Sequence, residues 1–212
     1  METIRILEGN KIDHKMISGA IQLDRISYED MYQLSEDTCF DYYEKNQDIY
    51  IMAVDDESGQ VVGYINFSPV KSAIYEQLKS GNVIDTVITG EDVLPYQDGT
   101  HYLGYFSSIV VHPEYRQHGV ATQMLICWAD FVCRMAKNRN IYFNEIVADA
   151  ISDVGAHLLS EIGFSLVKAS KHESKIMVMN LFSYDIIPSK INTKILDIYR
   201  ESKRKAETND AV

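Results

Sequence analysis

Apolar residues recur at Ala121, Met124, Leu125, Trp128, Val132 and Met135, the i, i+3, i+4, i+7 spacing of a helix with one face in a core. This predicts a helix over Val120 to Lys137. Before it, Tyr105 to Val111 ends in the β-branched run Ile109-Val110-Val111 and reads as a buried strand, with Pro113 holding His112 extended so that the chain turns there. Strand, turn, loop and helix form one unit, and the other elements are arranged around it. Upstream, Thr3 to Leu7 reads as a short strand and His14 to Leu23 is ambiguous. Ser27 reads as the N-cap of a helix to about Asn46, with Glu29 and Asp30 in its first turn. Ile49 to Val54 and Val61 to Phe67 flank a polar turn and read as an antiparallel hairpin whose second strand Pro69 closes. Lys71 to Ser80 is predicted as a short helix ended by Gly81, and Asn82 to Gly99 as an irregular stretch before the central strand begins near Tyr102. Downstream, the strand Ile141 to Ala148 places Ile146 and Ala148 on one face and Glu145, Val147 and Asp149 on the other. Ser152 caps a helix ended by Gly163, Leu166 to Ala169 pairs with Lys175 to Leu181, and Ser189 to Lys205 is an amphipathic helix followed by a frayed tail, Ala206 to Val212. The order predicts a three-layer α/β domain with a mixed, mostly antiparallel sheet in which Tyr105 to Val111 runs parallel to Ile141 to Ala148. One domain is expected over 1–188, with an insertion at about 70–100, and 189–212 as a C-terminal helix and tail.

A loop that feeds a helix presents amides without helical partners, here from Gln117 to Thr122, and these carry the partial positive charge that suits a phosphate. Arg116-x-x-Gly119-x-Ala121 occurs once, where strand gives way to helix, although a strand-turn-helix without a ligand has the same outline. The run Ile109-Val110-Val111-His112-Pro113-Glu114-Tyr115-Arg116-Gln117-His118-Gly119-Val120-Ala121 resembles the acyl-CoA-binding signature of the GNAT N-acetyltransferase superfamily, most sharply between Tyr105 and Phe164. The resemblance implies acetyl-CoA as co-substrate. Its pyrophosphate would lie on the amides of Gln117, His118, Gly119, Val120, Ala121 and Thr122 beside Arg116, and its pantetheine along the backbone of Ile109, Val110 and Val111.

Composition narrows the setting. With 212 residues and 46% hydrophobic content the chain can bury a sizeable core. No stretch approaches the roughly 18 apolar residues of a membrane span, and the first ten residues lack the apolar segment of a signal peptide. Cys39, Cys127 and Cys133 form no CxxC pair, and a reducing cytoplasm is the expected setting. Neither HExxH nor a Cys/His cluster occurs, so no metal site is expected. The formal charge of −11 argues against nucleic-acid binding. It serves solubility or favours a cationic amine acceptor. Arg116, His118, Arg134, Lys137 and Arg139 form a basic island that either meets CoA phosphates or is a solvated helix face.

The resemblance implies direct transfer to a primary amine of a small molecule or peptide, with a backbone N–H near Ile109 on the thioester carbonyl. A homodimer stays open. A carboxylate would act as general base. Glu145 comes first and Asp149 second, each equally readable as a strand-end charge. The segment 82–99, with Asp85, Glu91, Asp92, Tyr96 and Asp98, reads as an insertion beside the acceptor pocket or as a plain surface loop, and Asp41, Tyr42 and Tyr43 are further acceptor-side residues. Two departures stand out: the family's usual tyrosine falls on Leu159 and its usual asparagine on Ser152, leaving Ser160, Tyr102 or Tyr105 as substitutes for the acid. The alternative function is a catalytically weak acyl-CoA sensor or interaction module of the same fold.

Overall fold

The computed structural model describes residues 3–209. Seven strands form one sheet in the order β1-β2-β3-β4-β5-β7-β6. They are β1 (Ile4–Glu8), β2 (Tyr50–Asp55), β3 (Val61–Val70), β4 (His101–Val111), β5 (Tyr142–Ala150), β6 (Ser165–Ala169) and β7 (Lys175–Met179). All neighbours are antiparallel except β4 and β5, which run parallel as expected. The helix α4 (Val120–Arg139) supplies their crossover.

Helices cover both faces. On one side α1 (His14–Ser27), α2 (Glu36–Lys45) and α3 (Ser72–Ser80) bury Ile17, Ile21, Cys39, Tyr42, Tyr75 and Leu78 against the sheet. On the other, α4 packs Met124, Leu125, Trp128 and Val132 into a core shared with α5 (Asp153–Glu161) and α6 (Thr193–Asn209). The alternation of β5 holds: Ile146 and Ala148 enter the α4 side and Val147 the α1 side.

Several boundaries differ from expectation, each for a local reason. Ser27 is not an N-cap but the last residue of α1, which starts after Asp13, whose carboxylate accepts from Met16 N at 2.9 Å. The spacing of Ile17, Ala20 and Ile21 is thus helical. The chain is then extended apart from a 3-10 turn at Asp30–Tyr32, and α2 begins only after Ser35, whose hydroxyl accepts from Thr38 N at 3.1 Å. Pro69 does not close β3, which runs on to Val70 opposite Leu103. The carbonyl of Pro69 accepts from Leu94 N, so its missing N–H lies on the edge away from β4, where no ladder bond is lost. The helix α6 starts at Thr193 and continues through Asn209, past the expected fraying point at Ala206. Asp210 to Val212 lie outside the described residues.

Candidate active site

The site begins where the sheet comes apart. The β4 and β5 ladder runs from His101 opposite Tyr142 to Phe106 opposite Ala148 and ends there, while β4 continues to Val111. From Ser107 to Val111 one edge of β4 has no β5 partner, and its main-chain groups face a wedge-shaped opening. At the same point the β3 and β4 register slips, Asn66 facing Ser108 and Phe67 facing Phe106, so that Ser107 is an extra residue on β4. Such a bulge re-aims successive side chains. In a regular strand Ser107 and Ser108 would face opposite ways; here both line the same cavity.

Below the opening, the loop into α4 is held by its ends and bare in its middle. Arg116 Nε donates to the Val111 carbonyl at 3.1 Å, and Tyr115 Oη to Asp55 in the hairpin turn at 3.4 Å. Gln117 and Gly119 both take positive φ, 65° and 77°. No side chain caps α4, and the amides of Gln117, His118, Gly119, Val120, Ala121 and Thr122 donate to no side chain among the described residues. The loop 116–119 is exposed, so this is an open cradle of N–H groups at the positive end of a 20-residue helix. Ile109, Val110 and Val111 lie on the unpaired edge leading to it. The basic island divides. Arg116 and His118 stay at the loop, whereas Arg134 pairs with Glu8 at 2.5 Å and Arg139 with Asp98 at 2.7 Å. At 1.5 Å per residue, Arg134, Lys137 and Arg139 are about 20 Å or more along α4 from its start, too far to meet a phosphate held there.

On the α1 side of β4 an open cavity is lined by Asp24, Tyr28, Tyr32, Tyr42, Tyr50, Tyr64, Asp85, Ser107 and Ser108, among others. It adjoins a second that shares Tyr28, Tyr32, Asp85, Ser107 and Ser108 and adds Tyr105 and Asp149. Three carboxylates meet here. Asp85 comes from the segment 82–99, in a 3-10 turn at Asp85–Val87, and accepts from Tyr105 Oη at 3.0 Å and Ser107 Oγ at 3.3 Å. Burial pushes its pKa up to about 6, against the pull of those hydroxyls. Asp24, in the last turn of α1, accepts from Tyr64 Oη, and burial pushes it up to about 7. Asp149 is also raised by burial, opposed by the Ser174 hydroxyl and by His172, and its Oδ1 is buried without a hydrogen-bond partner among the described residues.

The other sequence candidates divide between the chamber and sites elsewhere. Glu145 is not in the chamber: it accepts from Tyr75 Oη and Lys79 Nζ, both at 2.6 Å, tying β5 to α3. Within 82–99 Asp85 lines the cavity, whereas Asp92 caps its own turn, Tyr96 is packed among Tyr102, Phe131 and Phe143, and Asp98 holds Arg139. Of the α2 residues Tyr42 reaches the cavity; Tyr43 donates to the Ile12 carbonyl and Asp41 is exposed. Leu159 is 5% exposed and part of the core, Ser160 donates to the Ala156 carbonyl, and Tyr102 to that of Pro95. Tyr105 alone of the proposed acids touches the chamber, through Asp85. Sequence reasoning missed Asp24, Tyr28, Tyr32 and Tyr64. The signal was available in the helical spacing after Asp13, which puts Asp24 four residues after Ala20, itself on the sheet-facing side.

Comparison with curated proteins gives no match. Among solved structures the fold recurs widely. The NatC complex bound to Gag peptide and CoA aligns with TM-score 0.58 at 16% identity over 85% of this chain and 99% of that one. Mosquito arylalkylamine N-acetyltransferase like 5b aligns at 0.55 and 12% over 84% and 100%. Arabidopsis thaliana NAA60 in complex with a bisubstrate analogue gives 0.54 and 14% over 84% and 98%. At these identities the likeness is one of fold. The sequence itself matches the profile of the acetyltransferase (GNAT) family over residues 19–152, more than half of the chain and including the parted strands and the amide loop, so the chain belongs to that family.

Proposed function

We propose that the protein is an acetyl-CoA-dependent N-acetyltransferase that passes an acetyl group directly to an amine of a small molecule or peptide. The observation that carries this reading is the junction at Ser107: the unpaired edge of β4, which leads down to the bare amides of α4, begins where the carboxylate-lined chamber opens. The main chain of Ile109 to Val111 would pair with pantetheine, and the amides from Gln117 to Thr122 would hold pyrophosphate. That the solved relatives include a CoA complex and a bisubstrate complex supports the assignment.

Asp85 is the group we place as general base. It borders both cavities, two hydroxyls orient it, and a carboxylate with its pKa near 6 is ionised at neutral pH yet more basic than an exposed one. Asp149, at the far wall, is the second choice. In the reaction the amine nitrogen bonds to the acetyl carbon, the carbon–sulfur bond breaks, the amine proton passes to Asp85, and the thiol leaves as thiolate and takes a proton from solvent. A thiol of pKa about 8.5 is a good enough leaving group not to require the phenol that Leu159 replaces. The family's alternative, an acyl-CoA sensor without turnover, draws support from that buried leucine. Thiol release measured over a panel of amines separates the two. An enzyme releases CoA with some acceptors; binding of acetyl-CoA without release with any of them overturns the enzymatic reading.

A further inference from the structure

The chamber carries three carboxylates and no cation. Neither cavity is lined by a lysine, arginine or histidine. The side-chain partners of Asp24 and Asp85 among the described residues are hydroxyls, Tyr64 for the one and Tyr105 and Ser107 for the other. Hydroxyls do not offset the burial of either, since both remain well above the ordinary carboxylate range. The two acids also occupy different stations. Asp85 borders both cavities beside the β4 bulge, where acyl transfer is placed; Asp24 borders only the first, in the company of Tyr28, Tyr32, Tyr42 and Tyr50.

Tyrosine faces around a carboxylate are suited to an ammonium or guanidinium group, because the ring quadrupole and the carboxylate attract a cation together once water is displaced. An independent observation points the same way. Tyr42 is 4% exposed, lines this cavity and has a hydroxyl without a hydrogen-bond partner among the described residues. Buried polar groups in folded chains are nearly always satisfied, so an unsatisfied phenol on the wall of a cavity marks a place for a ligand donor.

We propose that the acceptor is a small dication: the amine to be acetylated lies at Asp85, and a second cationic group lies at Asp24 among the tyrosines. This rests on the acetyltransferase reading and narrows its acceptor. A monoamine meets only one of the two buried acids, whereas a dication reaches both stations, Asp85 at the bulge and Asp24 among the tyrosines.

The test compares straight-chain α,ω-diamines of three to six carbons with the n-alkylamines of the same length, by CoA thiol release. For the diamine of best length kcat/KM should exceed that of its monoamine roughly tenfold or more, mainly through KM. In Asp24→Asn the ratio should fall toward one. Tyr32→Leu, at the chamber mouth, should lower it in the same sense and serves if Asp24→Asn does not fold. Equal kcat/KM for diamine and monoamine in the wild type overturns the dication while leaving an acetyltransferase in place, and so does a variant that lowers both acceptors equally. If no amine of any kind releases thiol, the enzymatic reading falls. Calorimetry of 1,4-diaminobutane against the acetyl-CoA-loaded protein then decides the site: binding weakened by Asp24→Asn upholds it, and no binding overturns it.

Discussion

Asp85 draws its basicity from where it stands rather than from any acidic neighbour in sequence. The largest cause of its raised pKa is burial, with the Tyr105 and Ser107 hydroxyls pulling the other way and Asp149 adding a smaller push upward. As a base it must be ionised, so kcat/KM should rise with pH through about 6 before amine deprotonation adds its own rise at higher pH. Asp85→Asn should lower kcat by ~10²- to 10⁴-fold and remove the lower of the two rises, with acetyl-CoA affinity unchanged in calorimetry. Retention of that rise in the variant would assign it to another group. Leu159 makes a contrasting case. It is a core residue of α5, clustered with Ala156, Ile162 and Phe164, so a hydroxyl placed there would not reach the chamber. Leu159→Tyr should therefore cost about 1–3 kcal/mol of stability by overpacking and leave turnover no faster, as denaturant unfolding and thiol release would show.

The functional elements differ in how much of their geometry is local. The strand-loop-helix unit was legible because its determinants lie within one stretch: the β-branched run, Pro113, Gly119 and the apolar stripe of α4. At Gly119 an added Cβ would meet nothing within 4 Å, but φ is +77°. Gly119→Glu should then fold at a cost of about 1 kcal/mol for the left-handed backbone, while its side chain enters the space that phosphates would use. Loss of acetyl-CoA binding with an unchanged circular-dichroism spectrum is the expected result; undiminished affinity would remove the amide loop from the cofactor site. The acceptor chamber was not legible in the same way. Its walls come from the end of α1, the 3-10 turns at 30–32 and 85–87, β3 and the β4 bulge, which only the folded sheet brings together. A bulge leaves little trace in a sequence, and without it Ser107 and Ser108 would face opposite ways. Glu145 illustrates the converse: alternation put it correctly on the face of Asp149, but Lys79 and Tyr75 of α3, distant in sequence, engage its carboxylate.

For the whole molecule, the buried acids make a testable link between stability and pH. Asp24 and Asp85 are pushed from 3.8 to about 7 and about 6 on folding. Between pH 4 and 7 the folded chain therefore holds more protons than the unfolded chain. By linkage stability must fall as pH rises through this window and level off above it. Among the neighbours, burial raises Tyr28, Tyr50 and Tyr64 above the ordinary phenol range and Cys39 to about 12, so these stay neutral there, while Asp149, also raised by burial, acts in the same sense as the other two acids. Acids shifted the other way, Asp55 and Asp153, add stability above their ordinary range and lose it only below about pH 4. For the free protein we expect a fall on the order of 4 kcal/mol between pH 5 and 7.5, or about 8–16 °C in Tm for a chain of this size. The diagnostic comparison is with the Asp24→Asn, Asp85→Asn double variant, in which the slope should flatten. A bound dication should act oppositely: it pairs with the ionised acids, so its gain in Tm at a fixed concentration should be larger at pH 7.5 than at pH 5. A gain that is the same at both pH values in the wild type would mean that the ligand does not bind at these carboxylates, whatever its effect on turnover.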